Sequence, residues 1–334
     1  MVTLQQIQSA QSLLRGVAAR TPLIRYYTPA LGASPESSAT GQEALYLKAE
    51  SLQPIGSFKL RGAYNKIASF TDDERRRGVI SHSSGNHAQG VAYAARAMGV
   101  KAVIVMPRNA PKIKLESTSA LGAEIVLVGP TSSDRMKKAE ELAQAHGFAI
   151  VPPYDDEFII AGQGTTGLEI LEDCPDAELV LAPVGGGGLV SGIASAIKLS
   201  GSAARVVGVE PELANDAQQS FRSGEIVQLP AERVSSTLAD GLRTQCIGLR
   251  NFEHIRNYVD DIITVTEDEI RDAVRRLATE ARVVAEPSGA VTFAAWLFHR
   301  DALPESKKTV AVVSGGNIEP QMLAQIIGEA PAKS

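Results

Sequence analysis

The chain has 334 residues, 44% hydrophobic and 21% charged, a composition of soluble globular proteins that excludes intrinsic disorder. Its 33 basic and 38 acidic side chains give a net charge of −5 with both signs interspersed, which argues against nucleic acid as the main partner. Two cysteines, Cys174 and Cys246, form neither a disulfide framework nor a metal-finger spacing. No basic segment followed by an apolar core opens the sequence, so a secretory leader is not expected, and no apolar run reaches the roughly 20 residues that span a bilayer. A cytoplasmic protein with no membrane partner is expected, and its length predicts two lobes.

Taken in order, Leu4, Ile7, Leu14 and Val17 recur at helical spacing after Thr3, a predicted N-cap, and Thr21-Pro22 ends the helix. Residues 29–43 read as a surface loop. A strand at 44–47 leads into Gly56-Ser57-Phe58-Lys59-Leu60-Arg61-Gly62-Ala63, where a loop turns into a helix. Strands are predicted at 79–81, 102–106, 124–127, 148–151, 179–182, 206–210, 262–265 and 309–313, with helices at 86–98, 111–120 and 132–145. Thr266 to Glu269 matches a capping box. Apolar strands alternating with helices predict an α/β fold of mostly parallel, twisted sheets sandwiched by helices.

In such folds ligands gather beyond the carboxyl ends of the strands. Four unusual sequences fall there: the lysine loop, Ser83-Ser84-Gly85-Asn86-His87, Gly185-Gly186-Gly187-Gly188 and Ser314-Gly315-Gly316-Asn317. Lys59, set among small and apolar residues, would be partly desolvated; that lowers its pKa and favours the neutral amine that attacks an aldehyde. The glycine run, between a strand and a helix, offers converging N–H groups to an anion such as phosphate. It matches neither the nucleotide P-loop nor the dinucleotide fingerprint. An imine-forming lysine beside a phosphate cradle points to a phosphorylated aldehyde, with pyridoxal phosphate as the obvious candidate.

These loops, together with Ala161-Gly162-Gln163-Gly164-Thr165, occur in the order seen in the serine/threonine dehydratase and serine racemase family, which the chain resembles over nearly its whole length. The resemblance implies the tryptophan-synthase-β-like fold (fold type II of pyridoxal phosphate enzymes), with two three-layer α/β/α lobes. Residues 1–52 and 147–334 would form the large cofactor-binding lobe and residues 53–146 a small mobile substrate lobe. Carried over by position, Lys59 would hold the cofactor covalently and act as base at the substrate Cα, while Phe58 would pack on the pyridine face or simply serve the core. Asn86 would meet the ring 3′ oxygen, Gly185, Gly186, Gly187 and Gly188 the phosphate, and Ser314 the pyridine nitrogen. Ser83, Ser84, Gly85, Asn86 and His87, at a helix N-terminus, would take the substrate carboxylate. The implied reaction is β-elimination of water from 3-hydroxy amino acids such as L-threonine and L-serine, the released aminoacrylate decaying to a 2-oxo acid and ammonia.

Ser84 leaves a finer choice open. The family's racemases carry serine here and its biosynthetic dehydratases alanine, so a racemase or a bifunctional enzyme is the alternative, with 3-hydroxyaspartate or 3-aryl-serines as other dehydratase substrates. Tyr154 follows the dehydratase pattern, and Gln53-Pro54-Ile55 departs from the residues that serve nucleotide activation in the mammalian-type racemase. Glu210, Ala214 and Asp216 match the racemase-like divalent-metal site, suited to Mg2+ (or Ca2+ or Mn2+). Arg135 reads as facing solvent, with the substrate region as its alternative. Glu286-Pro287-Ser288-Gly289, following a strand-like segment, resembles the family's cofactor-rim loop. His82, His146, His254 and His299 read as structural. The chain stops near the end of the catalytic fold, so a C-terminal regulatory domain and isoleucine feedback are not expected. The family is usually dimeric, so a homodimer is expected.

Overall fold

The computed structural model describes residues 1–27, 43–83, 85–108, 110, 112–129 and 132–329. Ser84 and residues 29–42 of the expected surface loop lie outside these. The strands are β1 (Leu23–Tyr26), β2 (Ala44–Ala49), β3 (Val79–His82), β4 (Ala102–Pro107), β5 (Glu124–Val128), β6 (Ala149–Ile150), β7 (Leu179–Pro183), β8 (Arg205–Pro211), β9 (Asp261–Val265) and β10 (Lys308–Val313). They make two sheets. A six-stranded sheet has the order β1-β2-β10-β7-β8-β9, and a four-stranded sheet the order β5-β4-β3-β6. All neighbours run parallel except the edge pair β1 and β2.

Strand residues alternate between faces, so a sheet covered on both sides needs apolar residues at successive positions. In β7, Leu179 and Leu181 enter one core cluster while Val180 and Ala182 enter the opposite one. The smaller sheet repeats this, with Ile104 and Met106 on one face and Val103 and Val105 on the other. Each sheet is therefore the middle layer of three.

β1 was not foreseen: Leu23–Tyr26 is short and lies before the predicted loop. It pairs antiparallel with β2 through Leu23 to Lys48 and Tyr26 to Leu45. β6 lies beyond residue 146, the expected end of the smaller lobe, yet pairs with β3 in the smaller sheet. The segment before Glu286 is not a strand. A π-helical turn, Leu277–Ala281, ends at Arg282 in the left-handed region (φ 60°), and Pro287 opens the helix Pro287–Phe298. The first helix is Leu4–Leu13; Thr3 caps it with the full capping box, as Thr266 does for Glu267–Arg276.

Candidate active site

β2, β3, β7 and β10 each deliver one of the special loops at their carboxyl ends, and hydrogen bonds lock several of these loops together. After β2 comes the tight turn Glu50–Leu52, then Gly56 at φ +71°, a conformation that favours glycine. Gly316 donates its N–H to the Gly56 carbonyl at 2.9 Å, Ser57 bridges Gly315, and Phe58 donates to the Ser314 carbonyl at 3.1 Å. The lysine and Ser314 loops are thereby joined just before the helix Lys59–Ser69 begins.

Lys59 is the first residue of that helix. Its ammonium donates to the Pro153 carbonyl at 2.7 Å and stands 5.2 Å from the centre of the Phe58 ring. Burial, without a carboxylate partner to offset it, draws its pKa down to about 8. Two residues on, Arg61 anchors the helix in a buried ion cluster. Its guanidinium reaches Glu50 at 2.8 Å and Glu169 at 2.7 Å, and Lys48 reaches the same Glu169 at 2.6 Å. Sequence reading missed this cluster. Its signal is charge at Lys48 and Glu50, alternate positions running out of an otherwise apolar strand.

The motif from Ala161 to Thr165 lies in the helix Glu157–Asp173 and serves packing. A Cβ on Gly162 would come within 2.6 Å of the Arg61 carbonyl, and one on Gly192 within 2.5 Å of the Gly164 nitrogen. Thr165 accepts from Arg61 at 3.1 Å.

Beyond β3, Gly85 precedes the helix Asn86–Ala97, whose N-terminus has no side-chain cap among the described residues. The Ser83 hydroxyl accepts from the Gly85 N–H at 3.3 Å. His87 is buried, with Nε2 3.2 Å from the Val151 carbonyl; burial, then the nearby Lys59 charge, pushes its pKa to about 3 and keeps it neutral. Asn86 donates to Glu286 at 2.5 Å and accepts from Asn317 at 2.8 Å. Glu286 is 2% exposed, and burial, reinforced by Asp240, raises its pKa to about 8. Lys114 pairs with Asp240 beside it. Ser314 is buried, its hydroxyl 3.4 Å from the Ser288 carbonyl.

The glycine run lies between β7 and the helix Gly188–Leu199. Packing explains more of it than the sequence suggested. A Cβ on Gly186 would lie 2.3 Å from the Tyr154 ring, and Gly187 has φ +94° with Asn251 close by. Asn251 and Gly248 donate to the Gly186 carbonyl at 2.7 and 3.1 Å. The N–H groups of Gly185, Gly186 and Gly187 find no acceptor among the described residues, so together with the following helix N-terminus they fit an anion. Tyr154 follows Pro153, the acceptor of the Lys59 ammonium, so one short segment ties the amine to the glycine run.

Glu210 is the last residue but one of β8, Ala214 lies in the turn Glu212–Ala214, and Asp216 opens the helix Asp216–Ser223. Both carboxylates are fully buried. Glu210 accepts N–H groups from Ala217 at 3.0 Å and Gln218 at 2.7 Å, whereas neither oxygen of Asp216 accepts a hydrogen bond of normal geometry. Burial, then Asp216, pushes the Glu210 pKa well up, and burial raises Asp216 to about 7. No group of three acidic, histidine or cysteine side chains suited to a metal occurs among the described residues, so a cation here would rest on two carboxylates and backbone oxygen. Arg135, expected to face solvent, is half-buried; burial lowers its pKa, and its charge adds to burial in lowering that of His82. Two cavities of about 800 and 380 Å3 lie elsewhere and touch neither Lys59 nor the glycine run.

A family model described as pyridoxal-phosphate-dependent enzyme matches residues 19–315. The chain belongs to that family. An L-threonine ammonia-lyase of Thermotoga maritima is 46% identical over 336 residues, covering 100% of this chain and 80% of the relative. The crystal structure of a T.th. threonine deaminase superposes with a TM-score of 0.86 at 41% identity, covering 95% of this chain and 99% of the other. That of maize serine racemase gives 0.89 at 35% identity, covering 97% and 96%. The α/β fold with mostly parallel sheets, expected from the resemblance, is thus the fold of this pyridoxal-phosphate-dependent enzyme. None of its described helices is long and apolar enough to cross a membrane.

Proposed function

We propose that this enzyme is an ammonia-lyase that removes the hydroxyl of 3-hydroxy amino acids, foremost L-threonine and L-serine, as water, which hydrolysis of the released enamine takes up again, so that the net products are a 2-oxo acid and ammonia. The observation that carries the reading is Lys59: a half-buried amine with its pKa drawn to about 8, beside the segment that packs on the glycine run. Likeness to the L-threonine ammonia-lyase of Thermotoga maritima supports the substrate class.

Bound pyridoxal phosphate supplies an electron-withdrawing ring that acidifies the substrate Cα–H. The N–H groups of Gly185 to Gly188 would hold its phosphate, Phe58 would pack on its ring, Asn86 would meet the ring oxygen and Ser314 the ring nitrogen. The Ser314 hydroxyl, unlike a carboxylate, would not hold a proton on that nitrogen. Lys59 would hold the cofactor covalently, and its neutral amine would take the substrate Cα proton. The uncapped N-terminus of the helix Asn86–Ala97, with Ser83, Ser84, Gly85, Asn86 and His87, holds the substrate carboxylate.

Mg2+, or Ca2+ or Mn2+, sits at Glu210, Asp216 and the Ala214 carbonyl in this reading; the support is the unpartnered oxygens of Asp216 beside a second buried carboxylate. We place the smaller lobe on the sheet β5-β4-β3-β6, from residue 53 to about β6, and expect a cytoplasmic homodimer. Likeness to maize serine racemase favours a second reading in which Ser84 exchanges a proton on the opposite face of the substrate. Measuring 2-oxo acid release from 3-hydroxy amino acids of both configurations, with and without Mg2+, tests the proposal. Absence of release from both L-threonine and L-serine refutes it, and D-serine formed from L-serine adds the racemase activity.

A further inference from the structure

Resting on the reading that Asn86 meets the cofactor's ring oxygen, the inference concerns which end of its amide faces that oxygen. An amide offers an acceptor oxygen at one end and two N–H donors at the other, and the surrounding network decides the orientation. Here the network has a fixed starting point. The Ile55 carbonyl can only accept, and it takes an N–H from Asn317 at 2.9 Å. The same Asn317 nitrogen donates to the Asn86 oxygen at 2.8 Å. The Asn86 nitrogen then gives one proton to Glu286 at 2.5 Å, leaving its second N–H without an acceptor among the described residues. Flipping Asn86 would set two donor nitrogens against each other.

The loops that carry this network also pack closely on one another. A Cβ on Gly56 would lie 2.4 Å from the Asn317 oxygen, and one on Gly315 would lie 2.3 Å from Glu286 and 3.2 Å from the Asn86 nitrogen. We propose that Asn317 and Glu286 are positioning residues that hold the Asn86 amide with its nitrogen, not its oxygen, turned to the cofactor's ring oxygen. Neither residue was assigned a role by the sequence motif that contains it. Glu286 can accept from Asn86 whether or not it carries its proton, because a neutral carboxyl retains a carbonyl acceptor.

The test uses the full-length enzyme and pyridoxal 5′-phosphate itself, with affinity and the visible absorbance band of the bound cofactor as readouts. N86A, N317D, E286L, E286Q and the double variant N86A/N317D are compared. N86A, N317D and E286L are each expected to weaken cofactor binding by about 10-fold or more and to shift the band alike, the scale of losing a donor to a charged acceptor. E286Q, which keeps an acceptor, stays near wild type. The double variant is expected to be no weaker than N86A alone, because Asn317 acts through Asn86. Should N317D not fold, N317A carries the same comparison. Weakening by N86A alone, or additive losses in the double variant, overturns the proposal. An N86A variant with wild-type affinity and absorbance overturns instead the reading that Asn86 meets the cofactor.

Discussion

Replacing Arg61 by methionine tests how the helix that begins at Lys59 is held. Arg61 is 1% exposed and donates to both oxygens of Glu50, at 2.8 Å each, and to Glu169 at 2.7 and 2.8 Å. With Lys48 the cluster is electrically balanced, two positive charges against two negative. Methionine fills much of the volume yet leaves the two carboxylates facing Lys48 alone. Breaking a buried pair by removing one partner costs about 3–5 kcal/mol. Equilibrium urea unfolding of the R61M variant is expected to show that loss at neutral pH. The pH dependence has a definite sign. Burial alone would raise the Glu50 pKa, but Arg61 and Lys48 reverse this and hold it below 4.5. Its stabilisation is therefore present above the ordinary carboxylate range and lost as pH falls through the lowered value. The gap between wild type and R61M should widen as pH rises through about 4.5. A loss under about 1 kcal/mol, or a gap independent of pH, would refute the reasoning.

The Glu210–Asp216 pair works in the opposite sense. A folded-state pKa raised to about 7 for Asp216 means stability present at lower pH and lost as pH rises through that value. Without divalent cation, the urea midpoint should fall between pH 6 and pH 8, and Mg2+ should restore it; a midpoint indifferent to Mg2+ removes the metal site. Placing alanine at Gly186 sets a methyl group 2.3 Å from the Tyr154 ring. Overpacking of this kind costs about 1–3 kcal/mol, so G186A should lower the thermal midpoint, and Y154A in the same chain should recover part of it. Equal losses in the single and double variants would show that the ring is not the obstacle.

How far these features were legible in the sequence depended on whether they are local. Runs such as Leu179–Pro183 and Lys308–Val313 announce strands buried on both faces, and Thr3 and Thr266 mark helix starts by cap chemistry confined to neighbouring residues. The loops at the strand ends stood out because glycine, asparagine and serine there break the apolar periodicity of the flanking strands and helices. Contacts between distant segments were not legible. Lys48, Glu50, Arg61 and Glu169 meet only once the sheet and two helices are assembled, and the helical motif from Ala161 to Thr165 then proves to be a close crossing. β1 was missed because its pairing, an antiparallel edge on β2, is decided by the partner strand. Tyr154 on Gly186 and Glu286 beside Asn86 belong to the same class.

The central claim is that Lys59 is where the cofactor is attached. Reduction of the loaded enzyme with borohydride, followed by proteolysis and peptide mass mapping, reads that attachment directly. The account predicts a phosphopyridoxyl adduct on the peptide containing Lys59 and none on that region in the K59A variant, which should also lose 2-oxo acid release. An adduct carried by a different lysine in the native enzyme would contradict it.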